Sequence, residues 1–339
     1  MKKLCVLFTV ICLVIGVSGL TFANDAITIS GEVRVEYDNW LSRDTDENGA
    51  KADRQERLYM ERAVLKFAVD PGGDTTGAVI LRCDGDWRLD TAATTWRADF
   101  YTYNAYVKHA MMDNKMALML GKFNIHIPTV YGISGPNTYS YFYFTKEAKN
   151  GLMLNFKPMA DMLNINLAVI DKTQEDQGTD TDTRPYDVYL NANYTVMDGL
   201  DIYLGLLQTP AVDVTTGENT EDMEVAFNVK YKMDKIAATL EYYQRMLDSQ
   251  DDADLSVINL GGSYQVTDAI APYLAVEIID DGNDLDDGSE TLNIILGAHW
   301  MVTDNLTYAL ELDNTSYEDI GTTSVDALTK IGLRARLTF

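Results

Sequence analysis

Hydrophobic and polar residues alternate with a period of two along many segments of this chain. In the segment 330–339, one face carries the apolar residues Ile331, Leu333, Ala335, Leu337 and Phe339. The residues between them are basic, threonine or glycine. Successive side chains of a β-strand point to opposite faces, so this alternation predicts an amphipathic strand. Taken alone, such a face fits either a soluble strand or a strand that presents its apolar side to lipid.

An aspartate recurs in short turns at nearly regular intervals. It follows a strand end that contains an aromatic residue at Asp198, Asp234, Asp268 and Asp304, so the intervals are 36, 34 and 36 residues. Each interval holds two alternating segments of about ten residues, which together make one β-hairpin. Aspartate suits tight turns because it tolerates left-handed backbone and hydrogen-bonds its own main chain. The chain is therefore predicted to be a series of hairpins.

Sixteen strands are predicted from these segments. Their expected starts are Ile27, Leu58, Gly77, Asp99, Lys115, Lys149, Met162, Tyr186, Gly199, Asp222, Lys235, Asp254, Ala269, Glu290, Asn305 and Asp326. Between the short turns lie long acidic connections, such as residues 42–56 and 171–187. We therefore predict an all-β fold, a transmembrane antiparallel β-barrel with short periplasmic turns, long extracellular loops and an aqueous channel. The alternative is a soluble β-sandwich, which would need one dry face from every strand.

The first 23 residues are typical of an export signal. Lys2 and Lys3 precede an apolar run over residues 4–20, and Ala23 is a small residue of the kind after which signal peptidases cleave. We expect a signal peptide at 1–23 and a mature outer-membrane barrel at 24–339. No later segment reaches the length of about 18 apolar residues that a membrane helix needs.

With its closing amphipathic strand, its terminal aromatic residue and its short turns and long loops, the chain resembles the outer-membrane porins of Gram-negative bacteria. The resemblance implies a channel for passive diffusion of small hydrophilic solutes and ions, with no enzymatic activity and no cofactor. It also implies that Phe339 is recognised by the barrel-assembly machinery, that outer-membrane lipid and lipopolysaccharide surround the barrel, and that the protein is a homotrimer. The alternatives are a solute-selective porin for sugar or phosphate and a plugged structural or adhesive barrel.

Charges of the inward phase are segregated by strand. Basic residues on the first, second, third and last strands are expected to form one basic wall of the pore, consisting of Arg34, Arg62, Lys66, Arg82, Arg88, Lys330, Arg334 and Arg336. Apart from Arg245, the eleventh, thirteenth and fifteenth strands carry acidic inward groups, namely Glu241, Glu277, Glu311 and Asp313. The basic set resembles the ladder that general porins place opposite an inward-folded loop. The alternative is that the charges of a wet lumen follow no order.

The connection 124–148 differs from the other long loops because it is nearly uncharged and rich in aromatic residues. Aromatic rings have a lower free energy when they pack against the barrel wall than when they are exposed to water. We expect this connection to be the constriction loop, with the pore-lining residues His126, Tyr131, Tyr139, Tyr141 and Tyr143. General porins place carboxylates in this loop, whereas here Glu147 stands alone. Packing of the aromatic run within a strand or at a subunit interface is the alternative.

The first long loop contains a partial calcium-binding pattern. Asp44, Asp46 and Asn48 alternate ahead of Gly49, as oxygen ligands do in the first half of an EF-hand loop. The bidentate glutamate that should stand twelfth is replaced by Gln55. Weak Ca²⁺ binding across the acidic loops and a solvated acidic loop without metal both fit this pattern.

Two function classes are disfavoured by composition. The chain has 52 acidic and 27 basic residues and a formal net charge of −25, which repels the phosphates of nucleic acid. Its three histidines are His109, assigned to a turn, His126 and His299, assigned near a strand end, and none has an evident partner for nucleophilic or acid–base chemistry. We therefore expect no enzyme.

Overall fold

The fold was analysed in a computed structural model, which describes residues 26–42, 56–84, 101–125, 148–159, 162–171, 186–212, 219–246, 254–280, 290–317 and 328–339. This part of the chain contains sixteen β-strands. In chain order they are β1 (Ile27–Ser42), β2 (Glu56–Val69), β3 (Thr75–Asp84), β4 (Tyr101–Met111), β5 (Met116–Asn124), β6 (Ala148–Met159), β7 (Leu163–Asp171), β8 (Tyr186–Met197), β9 (Leu200–Val212), β10 (Asn219–Met233), β11 (Ile236–Met246), β12 (Leu255–Tyr264), β13 (Ile270–Asp280), β14 (Glu290–Thr303), β15 (Leu306–Tyr317) and β16 (Leu328–Thr338).

The strands form one closed antiparallel barrel. Each strand pairs with its neighbours in the chain, and β1 closes the ring by pairing with β16. Every strand begins within three residues of its predicted start, so the prediction of a sixteen-stranded barrel is confirmed. Closure leaves no strand edge, which allows every strand to satisfy its backbone polar groups by pairing. No helix in the described ranges is long and apolar enough to cross a membrane.

The short turns lie together at one end of the barrel, here named the turn end, and the opposite end is named the loop end. Three of the four predicted aspartate turns are observed as turns at residues 198–199, 234–235 and 304–305, and the fourth, at Asp268, lies in a bend over residues 266–269. Two of them use left-handed backbone, with φ of 80° at Gly199 and 48° at Asp234. Glycine and aspartate adopt this conformation at low cost, which is why the repeat is visible in the sequence.

The two faces of the barrel wall have opposite polarity. Large apolar side chains are exposed on the outside, for example Leu120 at 63% and Val107 at 56%. Charged side chains on the alternate positions are buried on the inside, for example Glu36 at 1% and Arg334 at 4%. This is the reverse of a soluble sandwich, in which the apolar face is buried, and it suits a barrel whose outer surface meets lipid.

Candidate functional site

The candidate site is the inner wall of the barrel, beginning at the seam between β15, β16 and β1. Lys330 and Arg334 of β16 alternate on the inward face, and each is 3–4% exposed. The Lys330 Nζ lies 3.2 Å from Oδ1 of Asp38 and 3.8 Å from Oε1 of Glu36. Arg334 bridges two strands, since its Nε donates to Oε2 of Glu36 at 3.0 Å and its second guanidinium nitrogen lies 3.4 Å from Oε2 of Glu311. These ion pairs join β15, β16 and β1 across the closing seam.

Two further arginines extend the seam toward the turn end. Arg336 binds Glu32 through two nitrogens, at 2.7 and 2.6 Å. Arg34 lies directly opposite Arg336 in the register and its Nε is 2.5 Å from Oε1 of Glu32. One carboxylate therefore holds two guanidinium groups next to each other, and the seam contains no isolated block of positive charge.

The predicted basic wall is consequently mixed in sign where it crosses β1 and β16. The structure brings Arg34, Lys330, Arg334 and Arg336 together and places Arg62 of β2 opposite Arg34. Three carboxylates of β1 lie among them, namely Glu32, Glu36 and Asp38. The sequence analysis missed these carboxylates, although they occupy the same alternating positions as Arg34.

The remaining predicted basic residues lie apart from the seam. Lys66 is exposed near the turn end of β2. The Arg82 guanidinium stacks 4.8 Å from the ring centre of Tyr103, which is a cation–π contact. Arg88 lies outside the described residues.

The predicted acidic residues divide between the seam and a second group. Glu311 belongs to the seam, where it accepts a hydrogen bond from the Tyr273 hydroxyl and pairs with Arg334. Asp313 lies opposite Lys330 in the register. Glu241 and Glu277 lie farther around the wall on β11 and β13, and each is 1–2% exposed. In the described part of the chain, neither of these two glutamates forms an ion pair.

A row of polar side chains, mainly carboxamides and carboxylates, runs around the inner wall on both sides of Glu241. Across adjacent strands the register places the following residues side by side: Asn193, Tyr203, Asn228, Glu241, Asn259, Glu277 and Asn293. We name these seven residues the amide row. A second set of asparagines adjoins it, in which Asn155 donates to Asn166 at 2.7 Å and Asn166 donates to Asn191 at 2.7 Å. The sequence analysis named Glu241 and Glu277 but missed the asparagines and Tyr203 of both sets, because each strand contributes only one or two of these residues.

An apolar belt covers the inner wall between the amide row and the loop end. Its buried members come from β5 and from β7 to β13: Phe123, Ala168, Ile170, Tyr189, Leu207, Ala226, Tyr243, Leu255, Val257 and Ile279, together with Ile125, which follows β5. On each of β8, β10, β11, β12 and β13, the residue two positions from a belt residue toward the turn end is polar. These residues are Asn191, Asn228, Glu241, Asn259 and Glu277. The inner wall of this half of the barrel therefore has two layers, an apolar layer toward the loop end and a polar layer toward the turn end.

Several predicted site residues cannot be placed. The five expected constriction-loop residues, from His126 to Tyr143, and the partial calcium pattern at Asp44, Asp46 and Asn48 lie outside the described residues. The signal peptide at 1–23 does so too. Among the residues that are described, no group of three or more His, Cys, Asp or Glu side chains could hold a metal ion.

The histidines give no catalytic arrangement in the described ranges. His109 lies within β4 and its Nδ1 is 2.9 Å from the hydroxyl of Thr75, so its assignment to a turn was wrong. Its side chain is exposed on the outer face. His299 lies in β14, where its ring centre is 4.7 Å from that of Tyr273.

The terminal residue Phe339 is tied to the first strand. Its amide donates to the carbonyl of Gly31 at 3.1 Å, and the Gly31 amide donates to the Phe339 carbonyl at 2.9 Å. A Cβ at position 31 would meet the Phe339 ring and would also lie 2.6 Å from the Val64 carbonyl, a backbone contact that favours glycine there. The role of Phe339 as an assembly signal stays a prediction.

Comparison with solved structures identifies the fold. No family model and no curated protein matches the chain. The outer membrane channel DcaP of Acinetobacter baumannii superposes with a TM-score of 0.69, with 94% of this chain and 99% of that one covered at 13% identity. The chain has the porin fold. An anion-selective porin from Comamonas acidovorans gives a TM-score of 0.67 at 16% identity, with 92% and 99% covered. Salmonella typhi OmpF in complex with daunomycin gives 0.66 at 13% identity, with 94% and 99% covered.

The porin fold accounts for the distribution of polarity described above. The solved structures with this fold are outer-membrane barrel proteins, and the exposed apolar outer face of this chain suits the same location. Their sequence identities of 13–16% establish the architecture but carry no residue roles to this chain.

Proposed function

We propose that the protein is an outer-membrane porin that forms a water-filled channel for passive diffusion of small hydrophilic solutes and ions. The observation that carries the proposal is a closed ring of sixteen strands with an apolar outer face and charged, amide-bearing inner positions. A barrel of this strand number is too wide for its side chains to fill. We expect the connection 124–148 to narrow the channel as the constriction loop, and the apolar belt supports this because it offers the aromatic run of that connection a surface inside the barrel.

Single-channel recording tests the proposal directly. The mature chain, refolded in detergent and added to a planar lipid bilayer, should produce stable conductance steps. The same protein unfolded by heat, added in the same detergent, is the control. A plugged structural or adhesive barrel would insert without stable steps, and that result would reject the channel.

We propose that the channel prefers cations. At the seam, Lys330, Arg334 and Arg336 are each paired with carboxylates of β1. Glu241 and Glu277 form no ion pair within the described ranges, so their negative potential is less compensated. Asp313 also forms no ion pair there, but Lys330 lies opposite it and offsets part of its charge. Acidic loops at the mouth would strengthen the cation preference at 0.01 M salt, where the Debye length is about 30 Å. They would strengthen it less at 1 M, where the Debye length is about 3 Å.

A sugar-selective channel is the second candidate function. The asparagines Asn155, Asn166 and Asn191 form a hydrogen-bonded series on the inner wall, and Asn191 also donates to the Tyr203 hydroxyl. Amides offer both donors and acceptors, which suits neutral hydroxylated solutes. The paired cations of the seam give less support to phosphate selection.

Ion-current block by neutral sugars tests this candidate. In the double variant Asn166→Ala and Asn191→Ala, block should weaken because the amide donors and acceptors are lost. Asn104→Ala is the matched control, since Asn104 is a buried asparagine on β4 that lies outside the series. Equal block in both variants would leave the general channel as the function.

We also propose, from the resemblance to general porins, that the barrel is a homotrimer in outer-membrane lipid and lipopolysaccharide and that Phe339 directs its assembly. Mass measurement in mild detergent should give three chains, and a monomer alone would reject the trimer. Deletion of Phe339 should slow insertion by the assembly machinery more than spontaneous refolding in detergent.

A further inference from the structure

We propose that Asn228, Glu241 and Asn259 form a binding site for a hard cation such as Ca²⁺ in the inner wall of the barrel. The three residues stand at directly opposed positions of β10, β11 and β12, because Asn228 pairs with Glu241 and Glu241 pairs with Asn259. Their side chains are 1–2% exposed. Opposed residues have Cβ atoms about 5 Å apart, so the three side chains share one small volume.

The polar atoms without a partner in this group are all acceptors. Both carboxylate oxygens of Glu241, Oδ1 of Asn228 and Oδ1 of Asn259 receive no hydrogen bond within the described part of the chain. The amide nitrogens donate to other groups, although that of Asn228 also acts favourably on the Glu241 carboxylate. Asn228 Nδ2 donates to the Thr239 hydroxyl at 3.3 Å, and Asn259 Nδ2 donates to Oε2 of Glu277 at 3.5 Å. Four buried oxygens that lack donors favour an occupant that is positively charged.

Neighbouring cationic side chains do not pair with the Glu241 carboxylate in the described residues. Lys230, two positions from Asn228 on β10, attracts Glu241 electrostatically but forms no ion pair with it in the described residues, and its side chain is exposed. On the other side, Glu277 adds a second negative charge behind Asn259. A buried carboxylate without a compensating cation is strongly unfavourable, so binding of a cation would stabilise the folded barrel.

The apolar belt closes the loop side of the site. Two positions toward the loop end, the same three strands carry Ala226, Tyr243 and Val257, which are buried and in register with one another. These side chains separate the Glu241 carboxylate from the aqueous mouth, which lowers the local dielectric and strengthens its attraction for a cation.

The donor set indicates which cation would bind. Carboxylate and amide oxygens are ligands for hard cations, and Ca²⁺ accepts six to eight of them with water completing the shell. The site has a single carboxylate in contact and no thiolate or imidazole, which argues against a soft or borderline metal. With so little ligand charge, the dissociation constant should be on the order of 10⁻⁴–10⁻³ M.

Thermal unfolding in detergent tests the site without reference to conductance, so its outcome is separate from that of the proposed function. Ca²⁺ at about ten times its dissociation constant should raise the unfolding midpoint of the mature protein by about 2–5 °C at constant ionic strength. Glu241→Gln should abolish most of this shift and should raise the midpoint in chelator, because the uncompensated charge is gone.

Two further variants make the test specific. Glu224→Gln is the matched control, since Glu224 is an inward carboxylate of β10 whose Oε2 already accepts a hydrogen bond from Tyr243 at 2.9 Å, and it should keep the full Ca²⁺ shift. Asn259→Asp adds a second carboxylate, so it should lower the midpoint in chelator and enlarge the response to Ca²⁺. An unchanged shift in Glu241→Gln, or no enlarged response in Asn259→Asp, would overturn the proposal and indicate that a proton or a water molecule satisfies Glu241.

Discussion

Replacing Arg334 by methionine should destabilise the closed barrel by about 3 kcal/mol. Removing one member of a buried ion pair costs about 3–5 kcal/mol, because the partner is left as an uncompensated buried charge. Arg334 has two such partners, Glu36 at 3.0 Å and Glu311 at 3.4 Å, and all three side chains are 1–4% exposed. The loss should fall at the lower end of the range, since Lys330 stays 3.8 Å from Glu36 and Tyr273 still donates to Glu311.

The measurement is the free energy of unfolding of the refolded mature chain, obtained from denaturant titration in detergent with linear extrapolation. Arg336→Met is the matched control. Its side chain is 33% exposed and binds one carboxylate, so solvent screening should reduce its cost to about 1 kcal/mol or less.

A double-mutant cycle makes the reasoning refutable. Combining Arg334→Met with Glu36→Gln removes both charges of the pair, so the combined cost should be smaller than the sum of the single costs by about 1 kcal/mol or more. Strict additivity, or a cost for Arg334→Met no larger than that for Arg336→Met, would show that the seam ion pairs do not hold the barrel closed.

Three other substitutions have definite expected outcomes. Gly199→Ala should cost more than about 1 kcal/mol in the same titration, because φ is 80° there and a Cβ would collide with the Lys232 carbonyl, whereas Gly262→Ala, which meets nothing within 4 Å, should be nearly neutral. Leu120→Arg, on the lipid-facing surface, should cost about 2–4 kcal/mol in lipid, and a loss no larger than that of Leu120→Ala would place this residue away from the membrane. The pair Glu277→Gln and Asp313→Asn should reduce the cation preference measured as a reversal potential, and an unchanged potential would mean that neither carboxylate faces the ion path.

The strands and their faces were predictable because a period of two is a local signal. Leu306 to Leu312 shows the alternation within seven residues, and Asp198-Gly199 marks a turn by its own backbone preferences. Neither inference needs to know what lies on the next strand. This explains why strand number and strand starts were obtained from the sequence and confirmed by the structure.

The partners of the inward charges were not predictable by the same means. Alternation assigns Glu36 and Arg334 to the inner face, but their contact depends on the register between β1 and β16, which join opposite ends of the chain. A bulge at Arg34–Val35 also shifts the pairing of β1 with β2 by one residue. Such shifts follow from the closed geometry of the whole ring, so they leave no local trace.

The amide row shows the same limit across several strands. Asn228, Glu241 and Asn259 are separated by 13 and 18 positions in the sequence and become neighbours only through two successive hairpin registers. Asparagine is also common in turns, so a single inward asparagine on each strand carries no distinguishing signal. The candidate cation site could therefore be found only after the strands had been aligned.

The closing seam also determines when the molecule becomes stable during its folding. Arg334 and Glu36 are 298 positions apart, so their contact has the long sequence separation that makes closure a late step of folding. A chain that stops before Lys330 retains fifteen strands with unsatisfied edges on β1 and β15, and such edges favour aggregation. Fifteen strands without β16 would therefore not close into a narrower barrel. The last ten residues, 330–339, supply most of β16, the strand that pairs with both β15 and β1 and closes the ring.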